Sequence, residues 1–308
     1  MPILSIIIVT YNSGDIVFDV LRSAVSAIKD IDAEIIIVDN QSQDGVPQRV
    51  AEVFPEVQLI VSPENRGFAT ANNIGLAAAK GAFLVLLNPD VLVEVDAFRT
   101  LISFMQQNKE VGVVGPRTFD AHKQVTWTAH VPFSAWGILW QYCGLSRLFP
   151  YRMNEHYRKQ CETSTEPFEA AWVQAHCLLM RREVYDQIGG LDDKLFLFAE
   201  EPDFCDRATQ AGWKVMFIPQ AQVTHFESTS ISRYPLIKMR HYHISPLYYF
   251  FKRQRRSDVR VLKIGFTLEL FVKFLVRLFQ FRWIADQKRM AQLKAYPIVI
   301  QEVWRYSQ

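Results

Sequence analysis

The sequence of 308 residues lacks the features of a disulfide framework, a membrane span or a dinucleotide-binding turn. Its four cysteines, Cys143, Cys161, Cys177 and Cys205, show no paired Cys-x-x-Cys spacing, so we expect reduced thiols in a core. The longest uncharged stretch, residues 124–146, contains proline, glycine and histidine and would make a poor spanning helix. No glycine-rich turn of the GxGxxG type follows the first predicted strand, which argues against a nicotinamide enzyme.

The net charge is small, but the charged residues are unevenly distributed. The net charge is +2, yet residues 1–232 contain 18 Lys and Arg against 28 Asp and Glu, while residues 233–308 contain 16 against 4. This asymmetry predicts one domain over 1–232 and a basic extension over 233–308. Large apolar residues are interleaved with the basic ones, which favours anionic lipid over nucleic acid as the partner of the extension. The amino terminus shows no basic segment of a cleavable signal, so we expect a cytoplasmic location.

Strands and helices alternate along the first part of the chain. Apolar runs rich in β-branched residues predict buried parallel strands. These runs lie at residues 4–9, 33–38, 57–61 and 83–87. Apolar residues at helical spacing fill two of the intervals, at 16–28 and at about 70–79. The order predicts an α/β fold with a doubly wound, mostly parallel sheet.

Polar residues follow each predicted strand. The four clusters are Thr10-Tyr11-Asn12, Asp39-Asn40, Glu64-Asn65-Arg66-Gly67 and Asn88-Pro89-Asp90. Ligands of open parallel sheets bind beyond the carboxyl ends of the strands, so we expect the clusters to meet in one crevice. Asp90 is well placed to hold a cation that neutralises a diphosphate, although an ordinary Pro-Asp turn would look the same. Asp39 fits a ligand for a base or ribose, or a simple helix cap.

An acidic motif and a histidine follow further along the chain. Glu200, Glu201 and Asp203 stand together behind an aromatic run. Adjacent carboxylates beside apolar residues suit a tuned general base, but acidic residues at a helix start also complement the helix dipole. His225 follows a predicted strand at 215–218 and fits either a structural residue or an imidazole ligand.

In order and spacing these segments resemble glycosyltransferase family 2, with its GT-A fold. The resemblance is closest to the rhamnosyltransferase-like branch that builds cell-surface polysaccharides, and it covers about residues 3–230. The matching segments are 8–12, 36–45, 64–69, 72–75, 86–90, 179–183, 188–192, 200–203 and His225. The resemblance therefore implies a GT-A-like sheet followed by a helical carboxyl-terminal extension.

The resemblance also implies roles for residues at the nucleotide. Donor-binding residues are implied at Thr10, Tyr11, Asn12, Asp39, Asn40, Arg66, Gly67, Asn73 and Asn88. A divalent cation, Mg²⁺ or Mn²⁺, is implied at Asp90 and His225. Asn88 stands where many relatives have aspartate, which leaves Asp90 as the main carboxylate ligand.

For the chemistry, the resemblance implies an inverting transfer of a sugar, with rhamnose as one candidate, from a nucleotide-diphosphate donor to a saccharide that we expect to be lipid-linked. Glu201 is implied as the base, with Glu200 and Asp203 as the alternatives. Trp172 and His176 are implied on the acceptor side, where Ala175 and His176 make the wall bulkier than relatives commonly have. Two other functions stay open at this point: a catalytically degenerate membrane scaffold, and a sugar nucleotidyltransferase, which would need a glycine-rich phosphate loop near the first strand.

The basic extension contains an amphipathic pattern over residues 259–283. Its apolar stripe is formed by Ile264, Leu268, Phe271, Leu275 and Leu278. Glu269, Lys273 and Arg277 lie on the other side, and a basic run, 252–256, precedes the helix. We expect peripheral attachment to the inner face of the plasma membrane. The alternative is that the stripe packs on the catalytic domain or on a second copy in a homodimer.

Overall fold

The computed structural model describes residues 2–142, 152–226, 234–281 and 287–306. The strands are β1 (Leu4–Thr10), β2 (Ala33–Asp39), β3 (Gln58–Val61), β4 (Phe83–Leu87), β5 (Val91–Val93), β6 (Val111–Phe119), β7 (Ala129–His130), β8 (Phe168–Glu169), β9 (Trp172–Val173), β10 (Cys177–Arg181) and β11 (Lys214–His225). The helices are α1 (Ile16–Ala27), α2 (Val46–Val53), α3 (Gly67–Ala78), α4 (Ala97–Gln107), α5 (Ala135–Tyr142), α6 (Arg152–Thr163), α7 (Arg182–Ile188), α8 (Glu200–Gln210), α9 (Pro235–Lys252), α10 (Arg256–Phe281) and α11 (Gln287–Arg305).

The chain divides into two compact units. The sheet unit contains residues 2–132, 153–196 and 200–226, and the helical unit contains 133–142, 152, 197–199, 234–281 and 287–306. The predicted boundary between residues 232 and 233 lies outside the described residues. The helical unit also includes α5, which the charge distribution along the chain did not indicate.

The sheet unit is built on a nine-stranded, mostly parallel sheet. Its order is β3-β2-β1-β4-β10-β6-β11-β5, with β8 paired to β11. β3, β2, β1 and β4 are parallel neighbours, as are β6 and β11, whereas β10 and β5 run antiparallel to their neighbours. The predicted α/β fold with a mostly parallel sheet is therefore confirmed. The four predicted strands are all present, within one residue of their expected ends.

Both faces of the sheet are covered, which explains why its central strands are apolar without alternation. In β1, Leu4, Ile6 and Ile8 belong to one buried cluster, while Ile7 and Val9 belong to the cluster on the opposite face. A strand with two buried faces has no solvent side to keep polar. The predicted core thiols Cys161, Cys177 and Cys205 are buried and free, and Cys143 lies outside the described residues.

Helix α3 begins at Gly67, three residues before the expected start near Thr70. Gly67 has a φ of 81°, and a Cβ on it would lie 2.6 Å from the Phe196 carbonyl oxygen. The Phe68 N–H donates to the same oxygen at 2.8 Å. Only glycine combines this left-handed backbone with such a close approach, so the chain turns here into the helix.

In the helical unit, α10 buries a face other than the predicted apolar stripe, whose burial was only the alternative to membrane attachment. Leu262, Phe266 and Leu270 are buried among α5, α9 and α11. The predicted apolar stripe is exposed, and it belongs to a wider patch whose members are between 46% and 65% exposed. This α10 apolar patch consists of Ile264, Leu268, Phe271, Val272, Leu275, Val276, Leu278 and Phe279.

Glu269, on the other side of α10 from the stripe, is buried. His243 Nε2 lies 3.0 Å from Glu269 Oε2, and Lys273 forms an ion pair with the same carboxylate. Trp283, at the end of the predicted helix, lies outside the described residues. Within the described ranges no helix combines the length and apolar character needed to cross a bilayer.

Candidate active site

The polar ends of β1, β2 and β4 meet on one side of the sheet, called here the carboxyl side. Thr10 is paired with Asp39 across the β1–β2 register, and Ile8 is paired with Leu87, the residue before Asn88. Parallel strands in register end together, so the sequence-distant clusters come together as expected.

Two further strands bring residues to the same side. β10 begins opposite Leu87, so His176 lies beside Asn88, whose N–H donates to the His176 carbonyl oxygen at 2.8 Å. At the end of β11, His225 is paired with Val91 in antiparallel β5. The carboxyl side thus holds both predicted metal ligands and the segment before β10.

Asp39 organises the ends of the first two strands. Its carboxylate is buried; Oδ1 accepts from Thr10 Oγ1 at 2.9 Å and Oδ2 accepts from the Ser42 N–H at 2.9 Å. Ser42 Oγ accepts in turn from the Asn12 N–H at 2.9 Å. Asp39 therefore shapes the loop that would face a nucleotide, and its direct contact with a base stays a prediction.

The loops around Asp39 contain left-handed backbone at two residues that are not glycine. Asn12 has a φ of 48° and Gln41 a φ of 70°. The Asn12 side chain stabilises this arrangement, because its Oδ1 accepts from the Gln43 N–H at 2.8 Å. Tyr11 is half-buried, and its N–H donates to Ser13 Oγ at 3.3 Å. Strained backbone of this kind concentrates at ligand sites, where the surrounding contacts enforce it.

Asn40 fixes the loop that leads into α3. Its Nδ2 donates to Asn65 Oδ1 at 2.8 Å, and its Oδ1 accepts from the Arg66 N–H at 3.0 Å. The Gly67 N–H donates to Asn65 Oδ1 at 3.0 Å. The Arg66 side chain is half exposed, and its Nε lies 3.7 Å from Glu64 Oε1. An exposed pair at this distance is weak, so the guanidinium can turn to an anionic ligand.

Asn73, predicted among the donor-binding residues, holds a loop of the protein, and its contact with a donor stays a prediction. Its Nδ2 donates to the Leu191 carbonyl oxygen at 2.7 Å and to Asp193 Oδ1 at 2.5 Å. Its Oδ1 accepts from the Leu191 N–H at 2.8 Å. Both amide protons are thus used within the protein, and we place Asn73 as a positioning residue for the 190–193 loop.

Asp90 and His225 form a close pair. His225 Nε2 lies 3.2 Å from Asp90 Oδ1, and the Phe226 N–H donates to the Asp90 carbonyl oxygen at 3.0 Å. The pairing of β5 with β11 causes this contact, because β5 begins directly after Asp90 and β11 ends at His225. Two residues that are distant in sequence are therefore joined by a short antiparallel ladder.

The Asp90–His225 pair fits two adjacent ligands of one divalent cation. Ligand bonds of ~2.1 Å at a right angle place neighbouring donor atoms ~3.0 Å apart, close to the observed 3.2 Å. Within the described residues, the buried Asn88 Oδ1 has no hydrogen-bond partner, which leaves a third oxygen nearby in sequence. Among all residues that the structure describes, no group of three or more His, Cys, Asp or Glu side chains is arranged as a metal site.

His176, expected on the acceptor side, packs behind His225. It is 5% exposed, its ring stacks on His225 with centroids 4.9 Å apart, and its Nε2 lies 2.7 Å from Thr118 Oγ1. Burial, followed by the nearby His225, lowers the pKa of His176 to about 3. The ring is therefore neutral and adds no positive charge beside a cation. Thr118 had no signal in the sequence, since nothing local connects it to His176.

Trp172 lies in a small two-stranded sheet formed by β7 and β9. Its ring stacks on His130 with centroids 3.8 Å apart. The Trp127 ring also packs against His130, with centroids 4.5 Å apart. Burial lowers the pKa of His130 to about 3. The aromatic cluster supports the segment that leads through Ala175 to β10, and the acceptor-side role of Trp172 stays a prediction.

The three acidic residues at the start of α8 have different surroundings. Asp203 is fully buried, and its Oδ2 accepts from Arg207 Nε at 2.9 Å. Arg207 also donates to the carbonyl oxygens of Ile188 and Gly190, at 2.8 and 2.7 Å. Asp203 is thus one partner in a structural ion pair that ties α8 to the end of α7.

Glu201 is the acidic residue linked to the carboxyl side. It is half-buried, and its Oε1 accepts from the Ala175 N–H at 3.3 Å, one residue before His176. Burial raises the pKa of Glu201. Burial also raises the pKa of Glu200 well above its ordinary value, and the Glu201 charge adds to this effect. Within the described residues the buried Glu200 Oε2 has no hydrogen-bond partner, and carboxyls with raised pKa values suit acid–base chemistry.

Comparisons with known proteins agree with this geometry. The family model "Glycosyl transferase family 2" matches residues 5–189. An N-acetylglucosaminyl-diphospho-decaprenol L-rhamnosyltransferase of Mycobacterium tuberculosis is 28% identical over 269 residues, which are 83% of this chain and 85% of the relative. A dTDP-rhamnosyl transferase of Shigella flexneri is 22% identical over 71% of this chain and 67% of its own length.

A solved structure shares the fold. The mannosyltransferase of Pyrobaculum calidifontis in complex with GDP-Man and Mn²⁺ superposes with a TM-score of 0.56 at 16% identity, covering 98% of this chain and 86% of that protein. These findings do not favour the scaffold or the nucleotidyltransferase alternative. The match over residues 5–189, on a sheet whose polar strand ends converge, shows that the chain belongs to glycosyl transferase family 2 and is a glycosyltransferase.

Proposed function

We propose that this glycosyltransferase moves a sugar, with inversion, from a nucleoside-diphosphate donor to a hydroxyl of a lipid-linked saccharide in cell-surface polysaccharide synthesis. The observation that carries the proposal is the pair formed by Asp90 and His225 on the same side of the sheet as Glu201. A diphosphate leaving group needs positive charge, and an attacking hydroxyl needs a base. Both requirements have residues on the carboxyl side.

In the proposed reaction, the oxygen of the acceptor hydroxyl bonds to the anomeric carbon of the donor sugar, and Glu201 accepts the proton of that hydroxyl. The bond between that carbon and the diphosphate oxygen breaks, and the diphosphate departs with the electron pair. Attack from the face opposite the leaving group inverts the anomeric centre. The Ala175 N–H, 3.3 Å from Glu201 Oε1, orients the carboxylate. Asp203 positions α8 through Arg207 and takes no part in the proton transfer.

Asp90 and His225 are the residues that would hold a divalent cation, Mg²⁺ or Mn²⁺. When bound, such a cation supplies the positive charge that stabilises a diphosphate leaving group. His176 supports this arrangement by stacking on His225 while remaining neutral. The loops at Asn12, Asp39 and Asn40 are proposed to contact the nucleotide, because they border the same side of the sheet.

For the substrates, we propose a dTDP-linked deoxyhexose such as rhamnose as donor and a polyprenyl-diphosphate-linked saccharide as acceptor. The support is the similarity to the mycobacterial rhamnosyltransferase named for a decaprenol-diphosphate acceptor, and to the Shigella transferase named for dTDP-rhamnose. The first of these similarities extends over 83% of this chain, so it includes more than the nucleotide-binding half.

A panel of nucleotide sugars tests the donor proposal. We expect dTDP-rhamnose, at about a hundred times its dissociation constant, to raise the melting temperature by roughly 5–10 °C in the presence of Mn²⁺. UDP- and GDP-sugars should have smaller effects, and the shift should shrink when Mn²⁺ is replaced by a chelator. A larger, metal-independent shift with a UDP- or GDP-sugar would contradict the proposed donor.

We also propose that the helical unit attaches the enzyme to a membrane surface without spanning it. The α10 apolar patch groups eight exposed apolar side chains on one helix, and grouped patches mark interaction sites more often than single exposed residues do. Basic residues precede the helix at 252–256, although Arg253 stacks on Tyr249 at 3.7 Å and Arg255 pairs with Asp258 at 2.5 Å. An exposed apolar face flanked by positive charge suits an anionic lipid surface.

Salt and charge should both control this attachment. Binding to anionic vesicles is expected to weaken as ionic strength rises from 0.1 to 1 M, where the screening length falls from ~10 Å to ~3 Å. Replacing Lys252, Arg253, Arg255 and Arg256 with serine should weaken it by up to ~5-fold per residue. Co-sedimentation measures both effects. Binding that ignores salt and all four changes would instead favour a second copy on the apolar patch, which sedimentation equilibrium would detect as a dimer.

A further inference from the structure

The short segment directly before α8 has an unusual backbone. Phe198 has a φ of 69° and Ala199 a φ of 68°, so two successive residues that are not glycine adopt the left-handed conformation. This conformation is unfavourable for any residue with a Cβ, and most of all for a bulky one. It persists only where surrounding contacts enforce it, and such strain concentrates at functional sites. Helix α8 begins at the next residue, Glu200, so a single residue separates the strained pair from Glu201.

Residues 197–199 belong to the helical unit, and two residues of α9 hold them in place. Ser245 Oγ donates to the Leu197 carbonyl oxygen at 2.7 Å. The Phe198 ring packs edge-on against Tyr242, with centroids 5.4 Å apart and an angle of 84° between the ring planes. Ala199 is buried as well. These contacts supply the enforcement that a left-handed backbone requires.

The Ser245 hydroxyl is used in a way that is uncommon inside a helix. A serine in a helix interior often donates to the carbonyl oxygen four residues earlier in the same helix, whereas Ser245 donates to a residue outside α9. Ser245 is 3% exposed, so water does not replace this bond. Loss of the hydroxyl would therefore leave the Leu197 carbonyl oxygen without this donor, and an unpaired buried oxygen is unfavourable.

The neighbouring Pro246 explains how Tyr242 is fixed. Proline has no N–H, so Pro246 cannot donate to the Tyr242 carbonyl oxygen four residues earlier in α9. That oxygen accepts from the Tyr142 hydroxyl at 3.2 Å. The rings of Tyr142 and Tyr242 also stack, with centroids 3.9 Å apart. Tyr242, which contacts Phe198, is thus held in turn by α5.

The body of α8 is held by contacts of its own. Asp203 pairs with Arg207, and Phe204 and Cys205 are buried in the sheet unit. The direction in which the chain enters the first turn of α8 is set by the backbone just before it. Glu201 lies in that first turn, and a catalytic group displaced by ~1 Å can lose ~100-fold in rate.

We propose that Ser245 is a positioning residue for sugar transfer. Its hydrogen bond to Leu197 maintains the left-handed backbone of residues 198–199, and this backbone directs the Glu201 carboxylate toward the acceptor hydroxyl. The inference rests on the proposed role of Glu201 as the base. It gives α9 a part in the reaction that is separate from membrane attachment.

Steady-state kinetics of the full chain test this role. Ser245→Ala removes the donor with little change of shape, so we expect kcat to fall roughly 10-fold, the scale of one lost buried hydrogen bond. The donor KM, and the donor-induced rise in melting temperature with Mn²⁺, should stay within about twofold of the wild type, since the donor-binding loops are unchanged. A residue that only stabilised the fold would leave the kcat of the folded enzyme unchanged.

Thr267→Val is a matched control in the same helical unit. Thr267 Oγ1 donates to the Lys263 carbonyl oxygen at 2.7 Å within α10, and it accepts from Trp304 Nε1 at 2.9 Å. The variant therefore removes one hydroxyl without touching residues 197–199. Both variants should lower the melting temperature by ~2–4 °C. Only Ser245→Ala should lower kcat.

A second substitution tests the backbone itself. Glycine adopts a positive φ without steric cost, so Ala199→Gly added to Ser245→Ala should raise kcat by about threefold over Ser245→Ala alone. Such a recovery requires that the left-handed backbone, and not the hydroxyl as such, aligns the base. Absence of any recovery would contradict the inference.

A double-mutant cycle with Glu201→Gln shows whether Ser245 acts through the base. Residues that act as one unit are not additive, so adding Ser245→Ala to Glu201→Gln should lower kcat by less than about twofold. A further ~10-fold loss in that background, or a wild-type kcat in Ser245→Ala alone, would overturn the inference and leave Glu201 as the base. Unchanged transfer in Glu201→Gln alone would show that the proposed base is wrong, and the inference would fall with it.

Discussion

Replacing Asp90 with alanine is expected to lower sugar transfer by roughly 1,000-fold or more and to remove the Mn²⁺-dependent rise in melting temperature. In the pair formed by Asp90 and His225, Asp90 supplies the negatively charged ligand. A bound cation supplies several kcal/mol of charge stabilisation to a departing diphosphate, and each ~1.4 kcal/mol is tenfold in rate. Transfer rates with saturating donor, and thermal shifts with and without Mn²⁺, measure the two effects.

A matched control separates charge from position. Asp30 lies between the end of α1 and the start of β2, has 72% of its side chain exposed and pairs with Arg99 at 3.0 Å, so Asp30→Ala removes the same charge on the opposite side of the sheet. It should retain transfer and the metal-dependent shift. His225→Gln should show a smaller loss than Asp90→Ala, because it removes a neutral ligand. Near-normal turnover in Asp90→Ala would show that the metal role proposed for Asp90 is wrong.

Replacing Glu201 with glutamine should reduce transfer by ~100-fold or more while leaving donor binding intact, since loss of a general base has that scale. The pH profile gives a second readout. Burial raises the pKa of Glu201, so the active carboxylate is lost as pH falls through a value above the ordinary glutamate range. The wild type should therefore lose activity on the acid side at a higher pH than an exposed glutamate would produce, and Glu201→Gln should lose that limb.

Asp203→Asn is the informative comparison for Glu201. Asp203 holds Arg207, which binds two carbonyl oxygens near the end of α7, so its loss should lower the melting temperature. Turnover of the folded fraction should change little. If Asp203→Asn or Glu200→Gln instead lowers the transfer rate while donor binding stays intact, the replaced residue is the base and Glu201 has a supporting role.

The sheet and much of the site could be predicted from the sequence because their signals are local. A β-branched run such as Leu4–Thr10 forms a strand buried on both faces, and parallel neighbours in register end together. The polar residues after each run therefore had to converge on one side. The contact of Asp90 with His225 could not be predicted from local patterns, because the β5–β11 ladder that creates it has only three paired residues. The family resemblance indicated it, and periodicity did not.

Other residues of the site could not be assigned in this way. Asn73 and His176 have polar side chains in matching segments, which implied contacts with substrates. Their actual partners are a loop at Leu191 and the Thr118 hydroxyl, both far away in sequence. The Asn73 amide is satisfied within the protein, whereas His176 Nδ1 has no hydrogen-bond partner in the described residues, and the sequence gives no sign of this difference. Only the tertiary contacts distinguish them.

Helix α10 shows the same division most clearly. Its length and amphipathic pattern follow from the spacing of apolar residues along the chain, which a helix converts into faces. Which face is buried depends on the neighbours, and α5, α9 and α11 cover Leu262, Phe266 and Leu270 rather than the longer stripe from Ile264 to Leu278. Glu269 could enter the interior because His243, on another helix, supplied a donor for its charge. Hydrophobicity along one segment defines the faces of a helix, but burial is a property of the packed assembly, where a partner from a distant segment sets the cost of each group.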